Sequence, residues 1–348
     1  MVADAKSDVL TQREKGILRH VVYNYIQTAV PVGSRYISRK HEAHLSPATI
    51  RNVMADLEEF GYLSHPHTSA GRVPTDLGYR YYVDYLMEIE RIAESDRIQI
   101  EQQLTQAPDA DTILRETSKL LSKISKQLSV VSSPHIASGI FEKLELIPLS
   151  STKLLVVISL SQGLVKTIMM EVGAEIPRQA LDDVARKLNE RLSGLKLQEI
   201  RDTFAERVRD VQSEQPNLLH LFIESVDQLF SDTRDQEKLH IAGTQNIIEQ
   251  PEFVDPKKFR GVIELIENEE IIVHLLEKHY GMEGEFAITI GNENEDSKAS
   301  EYSIVTATYD ANGVTGRVGI IGPKRMDYAR VVPIVDHFAK TIAKLLGV

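Results

Sequence analysis

Apolar positions recur with a helical period through most of the first 60 residues. Between residues 10 and 29, Ile17, Leu18, Val21, Val22, Tyr25 and Ile26 fall on one stripe. Pro31 and Gly33 then break the chain, Ser34 caps a short helix over 35–41, and residues 43–45 form a tight turn. The next helix has the sharpest start in the chain. Ser46 is an N-cap residue type, and Pro47 occupies the first helical position, where a missing N–H costs nothing. Ile50, Val53, Met54, Leu57 and Phe60 share one face, Thr49, Arg51, Asn52, Ala55 and Asp56 are left outside, and Gly61 ends the helix. Short strands follow at 62–64 and 72–74, joined by a loop of turn formers over 65–71. Helix, short helix, turn, second helix and hairpin is the winged helix-turn-helix plan.

Beyond this module Thr75 is a second N-cap, with Asp76 in the first turn where the helix dipole favours an acid. Tyr79, Tyr81, Tyr82 and Tyr85 would form a stacking platform for single-stranded nucleic acid if they shared a face. Their helical spacing spreads them around the axis, which favours packing in a core and an interdomain seam. Helices are predicted over 88–106 and 111–129, with Pro108 between them. The period then shifts to two. Residues 141–149, 153–160 and 163–171 are predicted antiparallel strands, with a hairpin turn at Ser161-Gln-Gly163. Helices are predicted over 177–192, 203–212 and 218–230, with extended chain at 197–200 and a strand at 239–244. A helix over 259–268 precedes strands at 271–276, 285–291, 302–309 and 316–321, and a closing helix runs over 326–346. Asn312-Gly313 is a strong hairpin signal. The class is α+β. The two groups of strands form either two sheets or one sheet interrupted by a mostly helical block. A lone three-stranded sheet is marginal, so a single sheet completed by both halves is expected.

Composition narrows the classes. A chain of 348 residues with 42% hydrophobic content suits two or three domains with real cores. No cysteine is present, which excludes disulfides, thiol catalysis and thiolate-bound zinc. The first eight residues are polar and acidic, unlike a signal peptide, and the longest apolar run, 154–160, is too short to span a membrane. A cytoplasmic protein is expected. The net charge of −11 argues against nucleic-acid binding over the whole surface. It is unevenly spread: residues 34–51 carry a local +3, and residues 267–301 a local −8.

The chemistry available is that of DNA recognition. Arg and Asn near the N-terminal end of a helix pair with guanine and adenine edges in a major groove. Thr49, Arg51 and Asn52 are therefore the expected base readers, with Ser46 at the helix start. Arg35, Arg39, Lys40 and Arg72 would hold phosphates or the adjacent minor groove, and His67 lies in the wing. His65 and His67 are too few for a metal site without cysteine. His274, Glu277 and His279 are more simply solvated loop residues at a strand end. Gly313, Gly316 and Gly319 mimic a nucleotide loop, but they sit in a hairpin rather than between a strand and a helix. Lys324 and Arg325, ahead of the last helix, offer an anion site, against the simpler reading of a strand end and a helix start. No P-loop, nucleophile elbow or H-E-x-x-H motif occurs, so no enzymatic activity, cofactor or metal is expected. Two rivals are a regulator switched by a small ligand and an enzyme with an accessory winged helix.

The runs Ser46-Pro-Ala-Thr-Ile-Arg-Asn52, Met54-Ala-Asp-Leu-Glu58, Gly61-Tyr-Leu63, Pro66-His-Thr-Ser-Ala-Gly-Arg-Val-Pro-Thr75 and Gly78-Tyr-Arg80 resemble the HrcA family of heat-inducible transcription repressors. Gly322-Pro-Lys-Arg-Met-Asp-Tyr-Ala-Arg330 resembles it at the other end, with Lys324 where a smaller polar residue is expected. The match anchors both ends, and the middle agrees in general layout. The resemblance implies a winged helix-turn-helix domain over 1–92 and a GAF-like antiparallel-sheet domain in two parts, 93–172 and 259–348. An inserted, mostly helical dimerisation domain would occupy 173–258. It further implies a homodimer on double-stranded DNA carrying an inverted repeat called CIRCE. It implies repression of chaperone operons, and an active state maintained by a GroEL-type chaperonin that unfolded proteins titrate away under heat stress.

Overall fold

The computed structural model describes residues 10–42, 44–66, 71–134, 139–161, 165–173, 176–209, 216–230, 239–277, 286–294, 298–311 and 313–347. It divides into two compact units. The first comprises 1–131, 240–308 and 317–341, and the second 132–239, 309–316 and 342–348.

In the first unit, α1 (Gln12–Thr28) opens with a capping box: Thr11 accepts from the Glu14 N–H while the Glu14 carboxylate accepts from the Thr11 N–H. Its buried stripe of Ile17, Leu18, Val21, Val22 and Ile26 is the expected one. Helix α2 (Ser34–Lys40) starts one residue earlier than expected. Gly33 is its N-cap and Ser34 is buried within it. Helix α3 (Pro47–Glu59) is capped by Ser46, whose Oγ accepts from the Thr49 N–H at 3.1 Å. Strands β1 (Leu63–Ser64) and β2 (Val73–Pro74) pair antiparallel, and Val32 bridges Arg72 beside them. Helix α4 (Asp76–Tyr81) is capped by Thr75 and runs on into a π-helical turn over Tyr82–Leu86. Tyr79, Tyr81 and Tyr82 are buried, and the exposed Tyr85 packs on Tyr81 at 4.9 Å, so the four do not share an open platform.

The chain then leaves the helical course, and α5 begins only at Glu94 (Glu94–Thr105). Helix α6 (Ala110–Ser125) ends at Lys126, which adopts the left-handed conformation. Residues 128–132, whose first part was expected to be helix, form β3 (Leu128–Ser132), a strand buried at every position. Its apolar run continued the helical stripe of α6, and the break at Lys126 carries no glycine or proline to mark it. After the first segment of the second unit the chain returns through β7 (Leu239–Ala242), with α11 (Thr244–Ile248), α12 (Pro256–Glu267) and α13 (Glu269–Glu277) following. The strand expected at 271–276 is therefore helix. Ile271, Ile272, Leu275 and Leu276 are buried at helical spacing, and a short apolar run does not distinguish the two by itself. Strands β8 (Phe286–Ile290), β9 (Tyr302–Ala311) and β10 (Val314–Pro323) complete a five-stranded sheet in the order β7-β3-β10-β9-β8, and α14 (Tyr328–Leu346) closes the chain. Nearly every residue of β9 and β10 is buried, so both faces of the sheet are covered there. The glycine run 313–319 lies on β10 and the turn before it, with Gly313 at φ 80°. Asn312 lies outside the described residues.

In the second unit, β4 (Phe141–Pro148), β5 (Lys153–Leu160) and β6 (Val165–Glu171) form their own antiparallel sheet. The turn expected at 161–163 lies partly outside the described residues. The expectation of one shared sheet is thus wrong. The second group of strands pairs with β3 and β7 instead. A three-stranded sheet stands alone here because α7 (Arg178–Leu192), α8 (Leu197–Arg207), α9 (Pro216–Glu224) and α10 (Val226–Phe230) belong to one core with its inner face. Phe141, Val156 and Ile158 of the sheet share that core with Leu188, Phe204, Phe222 and Phe230. The extended piece expected at 197–200 is the first turn of α8, with Leu197 and Ile200 buried.

Candidate nucleic-acid interface

Helix α3 turns its apolar stripe inward and its polar side out. Ile50, Val53, Met54 and Leu57 are buried; Arg51 and Asn52 are exposed. Neither side chain makes a hydrogen bond or ion pair to another described residue. Thr49 is half-buried, and its hydroxyl lies 2.9 Å from that of Ser46, so cap and candidate reader form one local arrangement at the helix N-terminus. Arg35 and Arg39 stand one helical turn apart on α2, exposed and without an acidic partner among the described residues. Lys40 is exposed with its ammonium 5.9 Å from the centre of the Tyr36 ring, a cation–π contact. The helices are held together at their turn, where the Ser38 hydroxyl donates to the Leu45 carbonyl at 2.9 Å.

Arg72 is placed differently. Its guanidinium lies 2.8 Å from the Glu58 carboxylate and 3.0 Å from His65 Nε2, and only 16% of the side chain is exposed. Its backbone exchanges two 2.9 Å hydrogen bonds with Val32. His65 Nδ1 in turn lies 3.1 Å from Glu58. Arg72 therefore ties the hairpin to the back of α3 and the loop before α2; its charge is not presented to solvent as a free cation. The sequence signal for this was the acid at position 58, four residues past Met54 on the polar flank of α3, which the motif reading left unpaired. His67 and the neighbouring loop tip lie outside the described residues.

Two further groups escaped the sequence reading. His20 and His41 stack at 4.3 Å beneath α2, with Asn24 Nδ2 3.0 Å from His41 and Glu42 3.4 Å from His20. Burial, then the adjacent His41, pushes the His20 pKa below the ordinary histidine value, against the pull of Glu42. Tyr36, 40% exposed beside Lys40, is the second. Nothing in the spacing of α1 marks His20 as a partner of a residue 21 positions away.

The other candidate chemistry is otherwise occupied. Lys324 is paired with Asp76 at 2.8 Å, and Arg325 with Glu252, with the Gln250 side chain at 3.0 Å and with the Ile26 carbonyl at 3.2 Å. Neither is available to a free anion as placed. His274 lies on α13, not at a strand end, and His279 is outside the described residues. Among the described residues, no group of three or more His, Asp or Glu side chains is arranged to hold a metal ion, and no helix is long and apolar enough to cross a membrane.

Fold and face together define an α+β protein whose N-terminal helices carry an outward polar surface of unpaired arginine and asparagine. The HrcA protein C terminal domain matches residues 111–332. The chain is 44% identical to the heat-inducible transcription repressor HrcA of Chlorobium phaeobacteroides (strain BS1), covering 97% of this chain and 99% of that protein. It is 43% identical to the protein of the same name from Chlorobium chlorochromatii (strain CaD3), covering 97% and 98%. A solved structure described only as a hypothetical protein, at 2.2 Å resolution, aligns with a TM-score of 0.59 at 22% identity, covering 97% of this chain and 99% of that one, and so shares the fold. The chain belongs to the HrcA family.

Proposed function

We propose that this protein is a sequence-specific DNA-binding repressor of heat-shock operons, that its first 92 residues are a winged helix-turn-helix, and that α3 is the recognition helix. The observation that carries the reading is the state of Arg51 and Asn52. They are exposed, unpartnered and one turn inside a well-capped helix, which is where major-groove readers stand. Arg35, Arg39 and Lys40 then supply phosphate contacts, and Arg72 acts by fixing the hairpin on α3. The name carried by the relatives, heat-inducible transcription repressor, supports the same reading. With the chain as a whole at −11, affinity confined to one basic face is expected, and non-specific binding is weak.

The five-stranded sheet and its helices are the proposed GAF-like domain. The separate three-stranded sheet supports drawing the inserted domain at 132–239, wider than the 173–258 expected from sequence. Dimerisation through that insertion is supported by the outward face of its sheet. Ile147, Leu155 and Met169 are cross-strand neighbours there, with Ile147 and Met169 40% and 55% exposed. A two-fold dimer reads an inverted repeat, here of the CIRCE type. Loss of repression on heating, as unfolded proteins occupy a GroEL-type chaperonin in the cytoplasm, follows if the folded fraction of the repressor depends on that chaperonin.

The test is fluorescence anisotropy against a CIRCE-type duplex and a scrambled control at graded salt. A preference of about a thousandfold, with two chains per duplex, is the expected result. Equal weak binding to both duplexes by folded protein overturns the reading.

A further inference from the structure

Both stretches that resemble the family, near residues 75–80 and 322–330, meet in space. Asp76, in the first turn of α4, accepts from Lys324 Nζ at 2.8 Å and from the Asn292 N–H at 3.1 Å. Gly291 has φ +58°, and a Cβ there would lie 2.2 Å from the Asp76 carboxylate, so this approach requires glycine. One turn along α4, Arg80 holds Glu293 through two bonds, Nε–Oε1 at 2.9 Å and Nη2–Oε2 at 2.5 Å. It also donates to the Ile288 carbonyl at 2.7 Å and to Asp84 at 3.0 Å. Glu293 Oε2 accepts in addition from the Ile290 N–H at 2.9 Å. Burial works against the charge on Arg80, and the carboxylates of Glu293 and Asp84 override it, raising its pKa. Exposed single ion pairs are worth little, but a bidentate, half-buried pair anchored to backbone on one side is a geometric constraint.

The constraint continues toward α3. The Thr75 hydroxyl that caps α4 donates to the Gly61 carbonyl at 2.6 Å, immediately after α3. A Cβ on Gly78 would lie 2.1 Å from the Tyr62 carbonyl oxygen, so α4 closely approaches the backbone of the segment that joins α3 to β1. A short, stiff path thus runs from β8 and the turn after it, through Asp76 and Arg80, to α3.

We propose that the pairs Asp76–Lys324 and Arg80–Glu293 are positioning elements that fix the angle at which α3 is carried on the five-stranded sheet. The inference rests on the reading of α3 as the DNA-contacting helix. Two heads on one dimer engage both half-sites only if each is held at a set angle; a loosened head still binds one half-site but forfeits the effective concentration that links the two events.

Arg80→Gln, Glu293→Gln and the double variant are compared with the parent on a duplex with one half-site and on the inverted repeat. Each single variant is expected to bind the half-site like the parent and to lose roughly tenfold to a hundredfold on the repeat. The double variant should be no worse than either. The absence of cysteine allows a second readout, spin labels at Glu59→Cys and Lys123→Cys, both exposed positions. Their distance distribution is expected to be narrow in the parent and broad in the variants. An unchanged distribution in variants that melt like the parent, or an equal loss on the half-site, overturns the proposal. If the parent itself does not prefer the repeat to scrambled DNA, the DNA reading falls, and the label distances still decide whether these pairs hold the head.

Discussion

The arginines of α2 and α3 and those of the hairpin, of α4 and of the segment before α14 are the same residue type in opposite states. Arg35, Arg39 and Arg51 project without partners; Arg72, Arg80 and Arg325 are each closed onto a carboxylate, Glu58, Glu293 and Glu252. A guanidinium already holding a carboxylate has its forked donors spent and its charge neutralised locally, so it shapes the protein. One left open keeps five donors for something outside it. The comparison separates residues that present the face from residues that form it, a distinction the sequence does not contain.

The hardest way to break the comparison is to separate α4 from α3. Gly78→Ala places a methyl 2.1 Å from the Tyr62 carbonyl, which only a backbone shift relieves. We expect a loss of about 3 kcal/mol in stability, at the upper end of what overpacking costs. Chemical denaturation would measure it, and DNA binding should fail together with the fold. Next in size are the open residues. Arg51→Ala and Asn52→Ala should each cost about 1–3 kcal/mol on the operator, with discrimination lost and the melting temperature unchanged. Equal losses on operator and scrambled DNA would remove these residues from base readout.

The elements of the N-terminal module were legible because their signals are local: a capping serine, a proline at the first helical position, one apolar stripe, two runs of turn formers. The three strands at 141–171 were legible from local signals too, although only β6 alternates cleanly: β4 shifts register between Phe141 and Lys143, and β5 is a nearly continuous apolar run bounded by polar residues. Strand β3 and helix α13 were not. Both are short segments with no clear periodicity, whose conformation is set by what covers them, and β3 finds its partner β10 nearly 190 positions away in sequence. The open face of α3 was legible in outline. That Arg72 belongs with Glu58, and Lys324 with Asp76, was not, because pairing is a property of the fold and the residue types are common to both roles.

Arg72→Ala and Lys40→Ala then sharpen the contrast at smaller cost. Removing Lys40 should weaken every sequence alike and lower the salt slope of binding by about 1. Removing Arg72 leaves Glu58 with His65 alone beside the hairpin. It should lower stability by about 1 kcal/mol or more and leave the salt slope near the parent's. If Arg72→Ala lowers the slope as Lys40→Ala does, Arg72 reaches phosphate in the complex and its closure onto Glu58 is confined to the free protein.

The smallest effect belongs to the stacked pair beneath α2. His20 titrates near 6.5 in the unfolded chain and lower in the folded one, because burial and His41 disfavour its charge. Below 6.5 the unfolded chain therefore binds more protons than the folded one, so this contribution to stability is intact above that pH and is lost as the pH falls beneath it. The melting temperature of the parent should accordingly decline between about pH 7 and about pH 5, and His20→Gln should flatten that decline while leaving the value at neutral pH little changed. Because the pair sits against the turn into α3, held by Asn24 and Glu42, the same acidification should loosen the open face before the closed seam. Hydrogen exchange at 37–45 rising ahead of that at 76–80 would show that order; simultaneous loss would mean that the two regions unfold as one unit.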